Sequence, residues 1–234
     1  TGTQTHTDKP PVRGFWYYVV CLTDPCNNGP VSNMTFGTLD YLLGDVTSAA
    51  NPNVGDNKVD AVDQSLLGVH YGIDLDAAGN SVWNQLDFGP TTSFTVDGRP
   101  RPDDLIAFEE LMIFSLNFNR GPAPQFASVP AAADRDELTL DAPTSVQAGQ
   151  LFSVRLNLKA AGDLHGISAQ LGWDAAVAQP LSVETGALAD AQDGMVLSGN
   201  PGKVDAAVMG ADRPGLSGDG VLATVHFRAS ATGD

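Results

Sequence analysis

The chain has two cysteines, twelve lysines and arginines among 234 residues, and no apolar run long enough to cross a bilayer. Each scarcity excludes something. Cys21 and Cys26 are close together in CLTDPCNNG, with no further Cys or His cluster, so a zinc site and a C-x-x-C-H haem attachment are both absent. A disulfide across the short turn is expected, because Asp24 and Pro25 favour a bend, and it implies oxidising surroundings. Against the twelve basic residues stand 28 acidic ones, for a net charge of -16. That charge repels nucleic acid and anionic membrane surfaces and favours cations. No GxSxG, HExxH, P-loop or strand-linked GxGxxG occurs, and the four His, at 6, 70, 165 and 226, are scattered. Glu109 and Glu110 are adjacent, so on a helix they point apart and do not form a glycosidase pair. The expectation is a non-catalytic protein. With no initiator Met or signal peptide, the chain reads as a mature or excised piece of a secreted one.

What is abundant is Asp, Gly and Pro in a particular order. Residues 44–67 read GDVTSAANPNVGDNKVDAVDQSLL. Asp56, Asp60 and Asp63 occupy the fifth, ninth and twelfth places of an EF-hand-type loop, the Lys58 carbonyl the seventh, and a helix starts at the last ligand. Asp45 fills the first place if the residues between it and Asp56 bulge out. A second copy is expected from Asp87, with Asp97-Gly98 at the fifth and sixth places, the Arg99 carbonyl beyond them and Asp104 at the twelfth. Calcium wants six to eight oxygens, and carboxylates alternating with carbonyls deliver them. Two Ca²⁺ ions are expected, bound by Asp45, Asp56, Lys58, Asp60 and Asp63 and by Asp87, Asp97, Arg99 and Asp104. The two loops also read as Asp-rich turns capping two helices, with Asp63, Asp103 and Asp104 as the N-terminal residues. Those helices are expected at about 61–70, with Val62, Leu66 and Val69 as its apolar stripe, and at 103–118.

Residues 14–22, GFWYYVVCL, read as a strand covered on both faces. Asn33-Met34-Thr35 is a glycosylation sequon by letter. Residues 120–135 are a Pro/Ala linker. Beyond it the apolar period changes to two: Phe152, Val154, Leu156 and Leu158, then Ile167, Ala169, Leu171 and Trp173, then Val221, Ala223, Val225 and Phe227. That is β-sandwich patterning.

Two resemblances attach to these stretches. The duplicated Asp loops, with Gly44-Asp45-Val46 at the first and Asp at the last ligand place, resemble dockerin modules. AGQLFSVRLNL, HGISAQLGWD, VETGAL, GKVDAAVMG and GDGVLATVHFRA occur in the order seen in cohesin modules. This second resemblance implies a jelly-roll sandwich that binds dockerins and does no chemistry. Residues 14–22 are similar to the last strand of a fibronectin type III domain.

The fold class expected is α+β. An arm and strand (1–43) precede a helical calcium domain (44–119), the linker (120–135) and an all-β sandwich (136–234). The arm and strand carry the Cys21/Cys26 turn, and the two larger parts fold separately. The protein is expected outside the cell or on its surface, with a protein partner and no nucleic acid or membrane insertion. Trp16, Trp83 and Trp173 lie in apolar contexts that favour burial over carbohydrate binding. One functional expectation is a structural subunit that polymerises head-to-tail. In it the 14–22 strand completes a sandwich one strand short of the cohesin pattern. The other is a scaffolding module joining secreted proteins.

Overall fold

The computed structural model describes residues 5, 7–8, 10, 12–24, 27–35, 37–93, 95–120 and 135–233, with residues 22–24 and 27–30 by backbone alone. Cys26 and residues 121–134, most of the expected linker, lie outside the described residues, and Cys21 is a free, exposed cysteine among them.

The expected 14–22 strand is broken in two. β1 (Phe15–Trp16) pairs with β4 (Thr38–Leu39), and β2 (Cys21–Asp24) pairs with β3 (Asn27–Val31), both antiparallel. Between them the Ser32 and Thr35 N–H groups donate to the Val20 and Tyr18 carbonyls. The result is a two-part antiparallel ribbon. The double burial expected for this segment fails: Tyr17 is 47% exposed and Val20 65%. A ribbon satisfies its backbone across the hairpin and needs no sheet on either face.

Residues 44–119 form a helical unit with α1 (Ala61–His70), a 3₁₀ segment (Asn80–Leu86) and α2 (Phe108–Asn117). Asp60 caps α1, accepting from the Val62 N–H, while the Asp63 carboxylate accepts from the Asp60 N–H to close a capping box. The α1 stripe differs from expectation. Val62 is 41% and Val69 77% exposed, whereas Leu67 and Asp63 are buried. The helix turns this way because Asp63 is satisfied by backbone N–H groups of the loop, which holds its side chain inward. α2 begins five residues later than expected, after Ala107, since Asp104 sits at φ +66° and breaks any helix there.

The C-terminal half is a β-sandwich. One sheet has the order β5 (Glu137–Asp141), β6 (Leu151–Leu164), β11 (Leu216–Ala229), β8 (Ala178–Thr185). The other has β7 (Gly166–Gln170), β10 (Lys203–Val208), β9 (Gly194–Leu197), and all pairings are antiparallel. A short α3 (Ala187–Asp190) links β8 to β9. Val154, Leu156 and Leu158 of one sheet meet Val204, Ala206 and Val208 of the other in the core. The alternation read in the sequence is the alternation of these faces.

Candidate functional site

Strand β10 is buried on both faces. Val204, Ala206 and Val208 point into the sandwich, and the alternate residues Asp205 and Ala207, with Met209 just beyond the strand, belong to the opposite face. Ala207, Met209, Met195 and Leu197 join Leu43 and, from the helical unit, Leu67, Leu111 and Phe114 in a second apolar cluster. The helical unit therefore lies on the outer face of sheet β7–β10–β9, and the two expected parts share a core.

Small residues set the closeness of this contact. A Cβ on Gly166 would fall 2.2 Å from the Met112 sulphur of α2. A Cβ on Gly199 would fall 2.9 Å from the Gly72 Cα, just past α1. On α1, Gly68 leaves room for the Met195 methyl, and the Gln64 amide donates to the Met195 sulphur at 3.5 Å. The one charge at the centre of the face is Asp205, which is fully buried. Its Oδ2 accepts from the Tyr71 hydroxyl at 2.8 Å and lies 3.4 Å from the Lys203 Nζ, while Oδ1 has no hydrogen-bond partner. Burial, and then the Asp205 carboxylate, push the Tyr71 phenol far above its usual range, so the hydroxyl remains a donor.

The helical unit is internally duplicated. Asp45 Oδ1 and Oδ2 accept the N–H groups of Asp56 (2.8 Å) and Asn57 (2.7 Å). Asp87 Oδ1 and Oδ2 accept those of Asp103 (3.3 Å) and Asp104 (2.9 Å). Asn57 and Asp104 share a left-handed backbone, at φ +69° and +66°. Asp63 Oδ1 accepts from Val46 and Thr47 (both 2.9 Å), and its Oδ2 accepts from Asp60 (3.0 Å). Glu110 repeats this with Gly89 (2.8 Å) and Ala107 (2.7 Å). The Asn119 N–H donates to the Val59 carbonyl, and the Gly72 N–H to the Ile106 carbonyl. From Asp56/Asp103 through Asp63/Glu110 to Gly72/Asn119, the copies run at a constant offset of about 47 residues, a pseudo-two-fold pair.

In this register Glu110 stands where Asp63 stands in the first copy, and Asp104 stands where Asn57 stands. Asp97 and Arg99 lie on an excursion closed by a bridge between Thr91 and Pro100, and the Arg99 carbonyl accepts the Thr92 N–H. In the first loop Asp45, Asp56, Asp60 and Asp63 are brought into one hydrogen-bonded turn, with Asp56 Oδ1 accepting from the Lys58 N–H. Among the described residues, no group of three or more His, Cys, Asp or Glu stands close enough together to hold a metal.

Arg13, Glu110, Tyr71 and Asp205 were missed by sequence reasoning. Two of them carried a signal. Ala107-x-x-Glu110 before an apolar run parallels Asp60-x-x-Asp63, and Asp205 interrupts the apolar run of GKVDAAVMG. Arg13 lies outside the repeat. Its guanidinium donates to the Asp45 carbonyl at 2.7 Å, pairs with the Asp45 carboxylate, and stacks 5.4 Å over the Tyr41 ring.

No helix among the described residues is long and apolar enough to cross a membrane. No curated protein matches the chain. Among solved structures, it is similar to a chain of a type II cohesin–X–dockerin complex from Acetivibrio cellulolyticus, at 14% identity and TM-score 0.33, covering 42% of this chain and 72% of that one. It is also similar to a non-cellulosomal cohesin from Archaeoglobus fulgidus, at 20% identity and TM-score 0.29, covering 36% of this chain and 58% of that one. Residues 137–234 match the family model of the cohesin domain, a non-catalytic protein-interaction module, and the chain is accordingly not an enzyme.

Proposed function

We propose that this chain is an extracellular or cell-surface scaffolding protein in which a cohesin sandwich recognises a dockerin-like, calcium-stabilised helical unit through the outer face of β7–β10–β9. The observation that carries this reading is the burial of that face: Asp205, Ala207 and Met209 are 0%, 1% and 5% exposed beneath α1 and α2. A Gly199→Trp wedge in the β9–β10 turn tests it. The sandwich should keep its far-UV dichroism while small-angle scattering reports a larger radius of gyration. An unchanged radius would count against the docking face.

Calcium is part of the proposal, at one ion per loop. A carboxylate offers about four lone-pair sites. Asp87 and Glu110 each use two on backbone N–H groups, so the second loop retains oxygen capacity for a cation. In the first loop Arg13 takes up part of the capacity of Asp45. An extracellular setting supplies the ion, and the net charge of -16 suits a cation-rich medium. Metal analysis after dialysis, with melting in calcium and in chelator, tests this half. A metal-free protein indifferent to chelator would remove calcium from the reading.

A second reading, head-to-tail assembly by strand donation, is favoured by one observation. Tyr17, Tyr18, Val19 and Val20 are apolar and 36–65% exposed on the ribbon, and the edge strand β5 exposes Leu140 at 58%. Exposed edges of this kind invite pairing. Deleting residues 1–22 should abolish any calcium-dependent filaments, and filaments that persist would exclude donation by this strand.

A further inference from the structure

We propose that the β7–β10–β9 face is a self-recognition surface that takes the helical unit of a second copy of this chain whenever its own is displaced, so that closed monomers interconvert with exchanged dimers. The inference rests on the docking-face reading above and goes beyond it by naming the partner.

Three observations point to this partner. First, both sides of the contact are apolar. Opening it would expose Ala207, Met209, Met195 and Leu197 on the sheet and their apolar partners beneath α1 and α2. Apolar surface of that kind is retained where another surface covers it. Second, the contact is shaped for this helical unit. Gly166 opposite Met112 and Gly199 opposite Gly72 are close approaches that a Cβ on either sheet-side glycine would obstruct. Third, it carries a polar selector. Asp205 is fully buried with one oxygen unpartnered, and the donor at its other oxygen is the Tyr71 hydroxyl from the helical side. A partner lacking a donor at that point would leave the carboxylate further unsatisfied, which is costly in a buried site. A second copy presents the same hydroxyl, methionine and glycine in the same arrangement.

The sole covalent connection between the halves is residues 121–134. A short connection gives its own partner an effective concentration of about millimolar, so the closed monomer dominates in dilute solution. Breaking one side removes that advantage. Two chains that dock reciprocally close a two-fold dimer.

The test uses full-length chains carrying complementary lesions. Met112→Lys damages the helical side and leaves the sheet face intact. Gly199→Trp damages the sheet face and leaves the helical side intact. Each variant alone should be an open monomer by light scattering and small-angle scattering. An equimolar mixture should form a 1:1 heterodimer through the one intact pairing, and Tyr71→Phe added to the Gly199→Trp chain should weaken it several-fold. If Gly199→Trp does not open the chain, the docking-face reading itself fails. If both variants open, remain folded by circular dichroism, and stay monomeric when mixed, the exchange is overturned while the docking face stands. Should a variant not fold, native mass spectrometry of concentrated wild type, mixed from ¹⁴N and ¹⁵N preparations, decides: mixed-mass dimers support the exchange, and their absence at millimolar concentration refutes it.

Discussion

The two loops of the helical unit share a backbone and differ in charge. Both close by the same hydrogen bonds, from a first-place Asp to two N–H groups and from a last-place carboxylate back to the loop entrance. In the first loop Asp45 also meets the Arg13 guanidinium, and its side chain is fully buried. In the second, Asp87 has no ion pair among the described residues, and its neighbours Asp103 and Asp104 are acidic. Burial pushes Asp87 above the usual carboxylate range, and pushes Glu110 up to about 8 against the pull of the Ala107 N–H. Asp63 is raised by burial too, opposed by the backbone N–H groups of Asp60, Thr47 and Val46. Backbone duplication therefore does not duplicate electrostatics. One residue from outside the repeat pairs with the first-place carboxylate of one copy, and among the described residues nothing does so for the other.

The largest effects should come from the two last-place carboxylates, measured by urea unfolding in chelator. Asp63→Ala leaves three N–H groups, those of Val46, Thr47 and Asp60, without their acceptor and should cost about 3 kcal/mol. Glu110→Ala leaves two and also relieves a buried carboxylate, so about 2 kcal/mol is expected. Equal losses would show the loops to be electrostatically alike.

Calcium comes next. At a hundredfold excess over Kd, one ion should add about 2.7 kcal/mol, seen as a rise in Tm. The second loop should fill before the first. Asp87→Asn should abolish the tighter phase of a calorimetric titration, and a loss of the weaker phase instead would reverse the assignment.

A pH effect separates the loops further. The folded value of Glu110, about 8, lies above its ordinary 4.5, so the folded chain binds this proton more tightly than the unfolded one. Its contribution to stability is full below about 4.5 and is lost as pH rises through about 8. In chelator, Glu110→Gln should flatten the decline of stability across that window. A decline as steep as in the wild type would assign it to other groups.

Arg13→Ala should cost about 1 kcal/mol without calcium, because the pair is partly solvated on the arginine side. It should tighten calcium at the first loop about fivefold, narrowing the gap between the two titration phases. The smallest change belongs to helix α1. Val69→Asp at a 77% exposed position should shift stability by less than about 0.5 kcal/mol, whereas the half-buried Leu116, at the equivalent place on α2, should lose more. A large loss at Val69 would restore the apolar stripe expected from spacing.

Much of the molecule was legible in the residue order. The sandwich followed from apolar residues at every second place, because a strand puts alternate side chains on opposite faces. The helix over 61–70 followed from Asp63 before an apolar run. The second helix was misplaced because Asp103-Asp104 resembles an N-terminal signal locally, and a left-handed residue at 104 cancels it. The face of α1 was misassigned because an inward Asp is counter to hydrophobic patterning unless its backbone partners are known. The 14–22 segment was expected to be covered because it is apolar, and its pairing across a hairpin left it exposed.

Sequence alone determined what each segment does locally: where chain direction reverses, which faces of the strands are apolar, and where helix α1 begins. These are properties of neighbours within a few residues, set by propensity, capping and period. Tertiary structure alone decided what brings distant residues together. It placed Arg13 on Asp45, aligned Glu110 with Asp63 across about 47 residues, and laid the helical unit on the sheet so that Tyr71 meets Asp205. Nothing in the local chemistry of a buried Asp selects its partner. That choice is made by which surfaces close over it, since a carboxylate removed from water is stable only where the rest of the fold delivers a donor.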